Sequence, residues 1–361
     1  MNSTKMQNYI LSFCEVRDKT NWTFLEIKSE SGFSGIAEIT MPGHSLNKQL
    51  IIEISNILNK LKGYKIASDN ELISKLGEPE NTSPSCVISG IRNAFADVLA
   101  KENNLPLNIY LRVVCNKSVK NNIKKEIPLY ANINRSMSPL KNGPVSRTAV
   151  SFADVAKKAL KDGFKIIKCA PFDECNPSLD KSRIDSALKP GLERVSQIKN
   201  ILDYENKLLV DCHRRFNFES ALSAEKRLRS IGASWFEEPL DPLTNKSLMK
   251  DLRKLIHLPL VGAEEAYGLN TFINLFQSKS LNIFMPDIKY CGGVVEATKI
   301  GLALEALSRG SISIHCPSGP ISLLASAHVT SAIGSPLPLE HAVYEVDWRK
   351  SLINPNENIK E

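Results

Sequence analysis

Apolar and polar residues alternate in two early runs, Trp22–Lys28 (WTFLEIK) and Phe33–Thr40 (FSGIAEIT), separated by Ser29-Glu30-Ser31-Gly32. Period-two alternation marks half-buried strands, and a polar link ending in glycine marks a hairpin. The period then lengthens. Leu50–Lys62, Asn70–Leu76 and Cys86–Glu102 carry apolar residues at helical spacing, and in the last Ile88, Ile91, Ala94, Phe95, Val98 and Leu99 share one stripe. Residues 1–125 therefore read as strands followed by helices, an α+β unit.

From Ile127 the texture changes again, to short apolar strands each followed by an amphipathic helix. The strands expected are Pro128–Ile133, Lys165–Cys169, Lys207–Val210, Trp235–Phe236, Leu258–Val261, Ile283–Met285, Ile312–Ile314 and Pro338–Glu340. A spacing of roughly 25–30 residues fits repeated βα units with right-handed crossovers. Charged residues follow nearly every strand, as expected where the loops at one barrel face build a single site. Residues 126–341 are thus expected to form a (β/α) barrel of the TIM type. No GxGxxG follows the first of these strands and no GxxxxGK[ST] occurs, so the dinucleotide and P-loop readings lose their usual support.

Composition adds limits. A chain of 361 residues accommodates a barrel of about 250 residues and a smaller domain. No apolar stretch reaches the length of a membrane span, and the N-terminus lacks a basic start before a long apolar run. The eight cysteines are dispersed without a CxxC pair, which favours reduced thiols and a cytoplasmic protein. The net charge of +7 is spread out, apart from a local basic run at Lys117–Lys125. No basic stripe is interleaved with aromatics, so nucleic acid is not an expected partner, whereas an anionic small molecule suits the charge.

Three acids stand at equivalent points of consecutive units: Asp211 after KLLV, Glu237 after SWF and Glu264 after LPLVGA, 26 and 27 residues apart. One such acid would ordinarily cap the following helix. Three in register at neighbouring strand ends converge on one point of a barrel face, where hard oxygen ligands suit Mg²⁺. Glu238 and Glu265 adjoin two of them, so a one-residue shift in register stays open.

The segments VDCHRRF (210–216), WFEEP (235–239), GAEE (262–265), MPDIKYCGG (285–293) and IHCPSGP (314–320), with AFADVLAKENNLPLNIYL (94–111) upstream, resemble the mandelate racemase and muconate lactonizing enzyme branch of the enolase superfamily. The resemblance spans essentially the whole chain. It implies a modified, enolase-like TIM barrel with an N-terminal α+β capping domain, residues 1–125, completed by C-terminal residues 342–361. It also implies one Mg²⁺ per subunit held by Asp211, Glu237 and Glu264, the first acid of each pair, and a homo-oligomer. The ending NPNENIKE is shorter than the glycine-containing tail the resemblance would place over the capping domain.

Removing a proton α to a carboxylate creates a second negative charge, so a cation and a base of near-neutral pKa are both needed. Lys168 ends one strand; Lys165 lies on the opposite face by alternation, and Ile166 stands where relatives commonly carry another lysine. Burial near cations would lower the Lys168 pKa enough for base work. His315 follows Ile312–Ile314, and Asp287 ends the preceding strand, where it can accept a hydrogen bond that fixes the imidazole. The resemblance implies an Asp–His dyad at these positions. It also aligns Glu340 with an acid that hydrogen-bonds the substrate carboxylate, which requires a protonated carboxyl and an apolar or anionic surrounding.

His213 lies two residues after Asp211 and would share its face on a continuing strand. It resembles the acid–base histidine of mannonate dehydratases, with a supporting or helix-capping role as the alternative. His44, His257, His328 and His341 are read as structural. Arg214, Arg215 and Lys289 are candidates for binding substrate oxygens.

Asn132, Asn134, Arg135, His213 and Arg214 suggest a hydroxyl-rich substrate, so a sugar-acid dehydratase (a hydro-lyase) is the first expectation. A racemase or epimerase using Lys168 and His315 on opposite faces of one carbon is the second. A non-catalytic ligand-binding barrel comes third, because it would tolerate a broken triad. The loops Arg17–Asn21 and Thr40–Asn47, with Met41, Pro42 and His44, are expected to shape the pocket.

Overall fold

The structure, a computed structural model, describes residues 1–18, 20–40, 48–77, 79, 82–118, 126–140, 143–308, 312–334, 336–357 and 359, without the side chains of 82–84. Met41, Pro42, His44 and most of the basic run Lys117–Lys125 lie outside the described residues.

The N-terminal sheet holds β1 (Thr4–Arg17), β2 (Thr20–Ser29), β3 (Ser34–Ile39) and β4 (Lys65–Ile66) in the order β3-β2-β1-β4. The expected hairpin is β2–β3, paired antiparallel with Leu25 opposite Ala37. Strand β1 was not expected. Its side chains show no clean alternation, and Ile10 and Phe13 remain 41% and 42% exposed, so the period that betrays a half-buried strand is missing. Helices α1 (Lys48–Leu61), α2 (Asp69–Leu76) and α3 (Thr82–Glu102) match the expected helical runs. Leu25, Ile27, Ile39, Ile54, Leu58, Ile91 and Phe95 form the core between sheet and helices. A Cβ on Gly35 would lie 2.1 Å from the Ala94 carbonyl, so only glycine lets β3 approach α3 this closely. Helix α4 (Leu107–Val114) leads toward the barrel.

The barrel strands are β5 (Leu129–Asn132), β6 (Ile166–Cys169), β7 (Lys207–Asp211), β8 (Trp235–Glu237), β9 (Leu260–Gly262), β10 (Ile283–Phe284) and β11 (Leu339–Ala342). They run in the order β10-β9-β8-β7-β6-β5-β11, with every neighbouring pair parallel. The crossovers carry α5 (Ala149–Lys161), α6 (Ile184–Lys199), α7 (Phe218–Ile231), α8 (Lys246–Leu255), α9 (Leu269–Ser278), α10 (Gly293–Leu307) and α11 (Pro320–Ala332). The seventh expected strand, Ile312–Ile314, is reduced to a single bridge between Ile312 and Phe284. On its other side Leu337 N–H donates to the Ile312 carbonyl at 2.8 Å, which closes the ring. Pro286, Pro336 and Pro338 flank this seam and offer no N–H, so its ladders cannot lengthen.

Tyr130, Leu209, Trp235, Val261 and Met285, with Ile166 and Ile283 against them, fill the barrel interior. Alternation then lifts the chemistry onto the next layer: Ile166 is followed two residues on by Lys168, Leu209 by Asp211 and Trp235 by Glu237. An apolar floor and a charged mouth are thus the same face of the same strands.

The capping elements grip that mouth from outside. Arg17 Nε donates to the Glu345 carbonyl at 2.8 Å and its Nη1 to the Ser138 carbonyl at 2.5 Å. Glu38 accepts from the N–H groups of Gly319 (2.9 Å) and Ser322 (3.2 Å) at the start of α11. Trp22 meets Trp348 edge-on with centroids 5.6 Å apart. Among the described residues no helix is long and apolar enough to cross a membrane, and none of the eight cysteines is joined in a disulfide.

Candidate active site

Asp211 and Glu237 pair directly across β7 and β8, so their carboxylates rise side by side. The Lys168 ammonium, fully buried, donates to Glu237 Oε1 at 2.5 Å, lies 2.9 Å from Glu340 Oε1 and 3.8 Å from Asp211 Oδ2. Lys165, by contrast, is 75% exposed, as alternation requires. Glu264 Oε2 meets His315 Nε2 at 2.9 Å, and Asp211 Oδ2 meets His213 Nε2 at 2.8 Å. Glu237, Glu264 and His315 offer donor atoms within 4.8 Å of one another, a grouping able to hold a metal ion.

The neighbouring acids face elsewhere. Glu238 Oε1 accepts from the N–H groups of Ala263 (2.8 Å) and Glu264 (3.3 Å), and Glu265 is held bidentately by Arg214 at 2.8 and 2.9 Å. Arg214 therefore braces acids, with its Nε also 3.2 Å from Glu238 Oε2, rather than standing open to a ligand. Arg215 is similarly engaged, donating to the Asp173 carbonyl at 2.9 Å.

The backbone here is strained. His213, Arg214, Glu238 and Ala263 have φ of 47°, 59°, 37° and 77°, all in the left-handed region that non-glycine residues avoid. Strand β7 ends at Asp211, so His213 is not on a continuing strand as expected. It stands on a left-handed turn, 45% exposed, and reaches back to the carboxylate of Asp211.

Crowded carboxylates shape the electrostatics. Burial pushes the Glu237 carboxyl well above the usual range; Lys168 opposes this, while Asp211 and Glu340 add to it. Burial also works to raise Asp211 and Glu264, but His213 and Lys168 outweigh it at Asp211, and His315 at Glu264, so both are held low. Burial raises Glu238 to about 8, with Glu264 contributing and Arg214 opposing. Glu237 Oε2 is buried and accepts no hydrogen bond from the described residues.

On the opposite side, His315 Nδ1 lies 2.9 Å from Asp287 Oδ2, and an ionised carboxylate can only accept, so Nδ1 carries the proton. Lys289 borders the cavity, but its ammonium is engaged by protein: the side chain is 3% exposed and the ammonium sits 3.1 Å from the same Asp287 oxygen. Glu340 also departs from expectation. Its Oε1 accepts from Asn132 Nδ2 at 2.6 Å and its Oε2 from Cys316 N–H at 2.9 Å, with His315 Nε2 3.7 Å away. Burial would raise its pKa, but Lys168 and His315 hold it below the usual range, so it is an ionised acceptor rather than a protonated donor. Burial would lower the pKa of Lys168, yet Glu237 and Glu340 hold it well above the ordinary lysine value; the expected depression fails because anions, not cations, surround it.

A cavity of about 450 Å³ opens over these groups, lined by Asp211, Glu264, His213 and His315 at one end and by Asn134, Arg135, Arg147, Asp173 and Tyr290 elsewhere. Among the described residues its lining comes entirely from the barrel, so the expected contribution of Arg17–Asn21 is not found; Arg17 is spent on the carbonyls of Ser138 and Glu345. Arg147 and Asp173, a bidentate pair at 2.5 and 2.9 Å, were missed in the sequence. The available signal was their place in loops leaving β5 and β6, where a barrel puts its site.

The model of the enolase C-terminal domain-like family matches residues 151–361, more than half of the chain. The chain belongs to the enolase superfamily. This enolase-superfamily chain is 25% identical over 323 residues to the arabinonate dehydratase of Saccharolobus solfataricus, covering 86% of this chain and 76% of that one. It is 21% identical over 349 residues to the D-xylonate dehydratase of Haloferax volcanii, covering 94% and 79%. In fold it resembles the mandelate racemase/muconate lactonizing enzyme from Sulfitobacter sp., with a TM-score of 0.82 at 17% identity over 99% of this chain and 89% of that chain.

Proposed function

We propose that this protein is an acid-sugar dehydratase, which removes the proton on C2 of a sugar carboxylate and expels the hydroxyl on C3. The observation that carries this reading is one polar cavity lined by Asp211, His213, Glu264 and His315, with Glu237 buried beside them, paired with Asp211 across the strands and grouped with Glu264 and His315 closely enough to hold a metal ion. The names of two curated relatives, arabinonate and D-xylonate dehydratase, support reading the substrate as a sugar acid, and within that class a monocarboxylic one.

The three carboxylates fit Mg²⁺: they are hard oxygen donors, they repel one another, and the unpartnered Glu237 Oε2 is an acceptor awaiting a cation. When bound, Mg²⁺ would stabilise the second negative charge that proton removal places on the substrate carboxylate. His315, oriented by Asp287 through Nδ1 and lining the cavity with its Nε2 against Glu264 Oε2, is assigned as the base that takes the C2 proton. His213, at the cavity wall and half exposed, is assigned to hand a proton to the departing hydroxyl. Glu340, held by Asn132, Lys168 and Cys316 N–H, keeps Lys168 in place as a fixed cation beneath the reacting end. Residues 1–125 with 342–361 are taken as the cap and 126–341 as the catalytic barrel.

A racemase needs an open base on each face of the α-carbon. Lys168 is fully buried among Asp211, Glu237 and Glu340 and does not line the cavity, which favours the one-base reading with elimination. The test is incubation of the purified protein with Mg²⁺ and a library of C5 and C6 sugar acids, followed by detection of 2-keto-3-deoxy acids. Formation of such a product from at least one substrate is expected. Exchange of the C2 proton without any product would select the racemase reading instead.

A further inference from the structure

Asp287 is gripped on both oxygens by a single residue. The backbone N–H of Lys289 donates to Oδ1 at 2.8 Å, and its ammonium lies 3.1 Å from Oδ2, the oxygen that also faces His315 Nδ1 at 2.9 Å. The Lys289 ammonium reaches on to the hydroxyl of Ser318, three residues past His315. One buried side chain therefore ties the loop carrying Asp287 to the loop carrying His315.

Both loops are in turn held by the capping elements. Asn93 on α3 donates through Nδ2 to the Ile288 carbonyl at 3.0 Å and accepts through Oδ1 from Val294 N–H at 2.7 Å, while Ser89 Oγ accepts from Gly292 N–H at 3.0 Å. The Ser318 carbonyl accepts from Arg349 Nη1 at 2.6 Å, and the next N–H, that of Gly319, donates to Glu38 of β3 at 2.9 Å. The two barrel loops are thus anchored at their far ends, and Lys289 is the link nearest the imidazole.

From this geometry we infer that Lys289 is a positioning residue for the proposed proton transfer: it locks the Asp287 carboxylate in the one rotamer that presents Oδ2 to His315 and so holds Nε2 toward Glu264 at the cavity wall. The inference rests on the dehydratase reading for its catalytic consequence, but not for its geometric one. A carboxylate accepting from three donors has no freedom to turn, whereas one released by Lys289 keeps only the imidazole and a backbone N–H. A lysine serving only to neutralise Asp287 would not need to reach Ser318.

The test compares Lys289→Met, which keeps the length of the stem, with wild type in three measurements. Mg²⁺ binding to the metal-free protein, read by calorimetry, is expected to stay within about threefold, because the carboxylate triad is untouched. Turnover of whichever sugar acid the wild type accepts is expected to fall in kcat by about 10–100-fold with KM within about threefold, the scale of losing a partner that orients a ligand-bearing group. The third measurement needs no substrate: in ¹⁵N-histidine-labelled protein the Nδ1–H resonance of His315, assigned by its loss in His315→Asn, is expected to be sharp and slowly exchanging in wild type. It should broaden or vanish in Lys289→Met. Ser318→Ala, which removes only the far anchor, should show the same loss in milder form, and it decides the matter if Lys289→Met does not fold. A His315 Nδ1–H signal unchanged in the folded variant overturns the inference whether or not any sugar acid is dehydrated. If the wild type turns over nothing while the signal still responds, the dehydratase reading fails and the positioning role stands.

Discussion

The two sides of the barrel mouth are built on opposite principles. At the ends of β7, β8 and β9 the carboxylates outnumber their partners: Glu237 keeps a buried oxygen without a donor, its pKa is pushed up by burial and by neighbouring acids, and the backbone bends through left-handed residues at 213, 214, 238 and 263. Across the mouth, Asp287 is saturated by His315 and by both ends of Lys289, and its pKa is held low because Lys289 and His315 outweigh the effect of burial. One side leaves an acceptor unmet among the described residues, and the other is closed by its own partners. Strain and unmet acceptors gather where something must bind; satisfied networks gather where something must already point.

The largest expected effect comes from breaking the side with the unmet acceptor. Glu237→Gln removes one hard oxygen charge, and Mg²⁺ affinity should fall by more than about 100-fold, with turnover lost alongside it, because a ligand is worth more than the 10–100-fold of a supporting partner. Calorimetric titration with Mg²⁺ checks this, and wild-type affinity in the variant would remove Glu237 from the triad. Breaking the closed side should separate the two functions. Asp287→Asn is expected to slow hydrogen exchange at the substrate α-carbon by about 10–100-fold while leaving Mg²⁺ affinity within about threefold. A parallel loss of both would mean the two sides are not independent.

The smallest effect sharpens the same contrast along one strand. Glu340 faces the mouth and is held ionised, whereas its neighbour His341 faces outward against Phe164, buried with an unpartnered Nδ1. Burial lowers its pKa from 6.5 to about 3, with Arg349 and Lys350 adding to the shift. The unfolded chain therefore binds a proton below pH 6.5 that the folded chain refuses, so stability is whole above that pH and lost as pH falls toward 3. At pH 5 the loss should be about 2 kcal/mol. His341→Leu should remove it, so that urea midpoints measured at pH 7 and pH 5 differ less than in wild type; an unchanged difference would show that His341 takes up its proton without penalty.

What could be read in the chain without coordinates follows from what is periodic. Asp211, Glu237 and Glu264 were expected together because each follows an apolar strand one βα unit from the next, and in the structure Asp211 and Glu237 stand two residues beyond the interior Leu209 and Trp235. The choice of Glu237 over Glu238 was not periodic; it depends on Glu238 turning to the N–H groups of Ala263 and Glu264, a bond made between loops. His213 reached the site by a left-handed turn rather than by a continuing strand, and turn handedness at a histidine has no sequence mark. The pKa shifts at Lys168 and Glu340 run opposite to expectation because Glu237 and Glu340 surround the lysine and Lys168 and His315 face the glutamate, and Lys289 stood as a candidate for substrate oxygens because its partner Ser318 lies 29 residues away. The first strand stayed hidden because both its faces are partly wet.

The central claim is that this mouth removes a proton from C2 and a hydroxyl from C3 of a sugar acid. The most direct measurement is proton NMR of the reaction run in D₂O with Mg²⁺ and an accepted sugar acid. The account predicts a 2-keto-3-deoxy acid carrying one solvent deuterium at C3, with unreacted substrate free of deuterium at C2 on the timescale of turnover. Deuterium building up at C2 of intact or inverted substrate, with no keto acid formed, would contradict it.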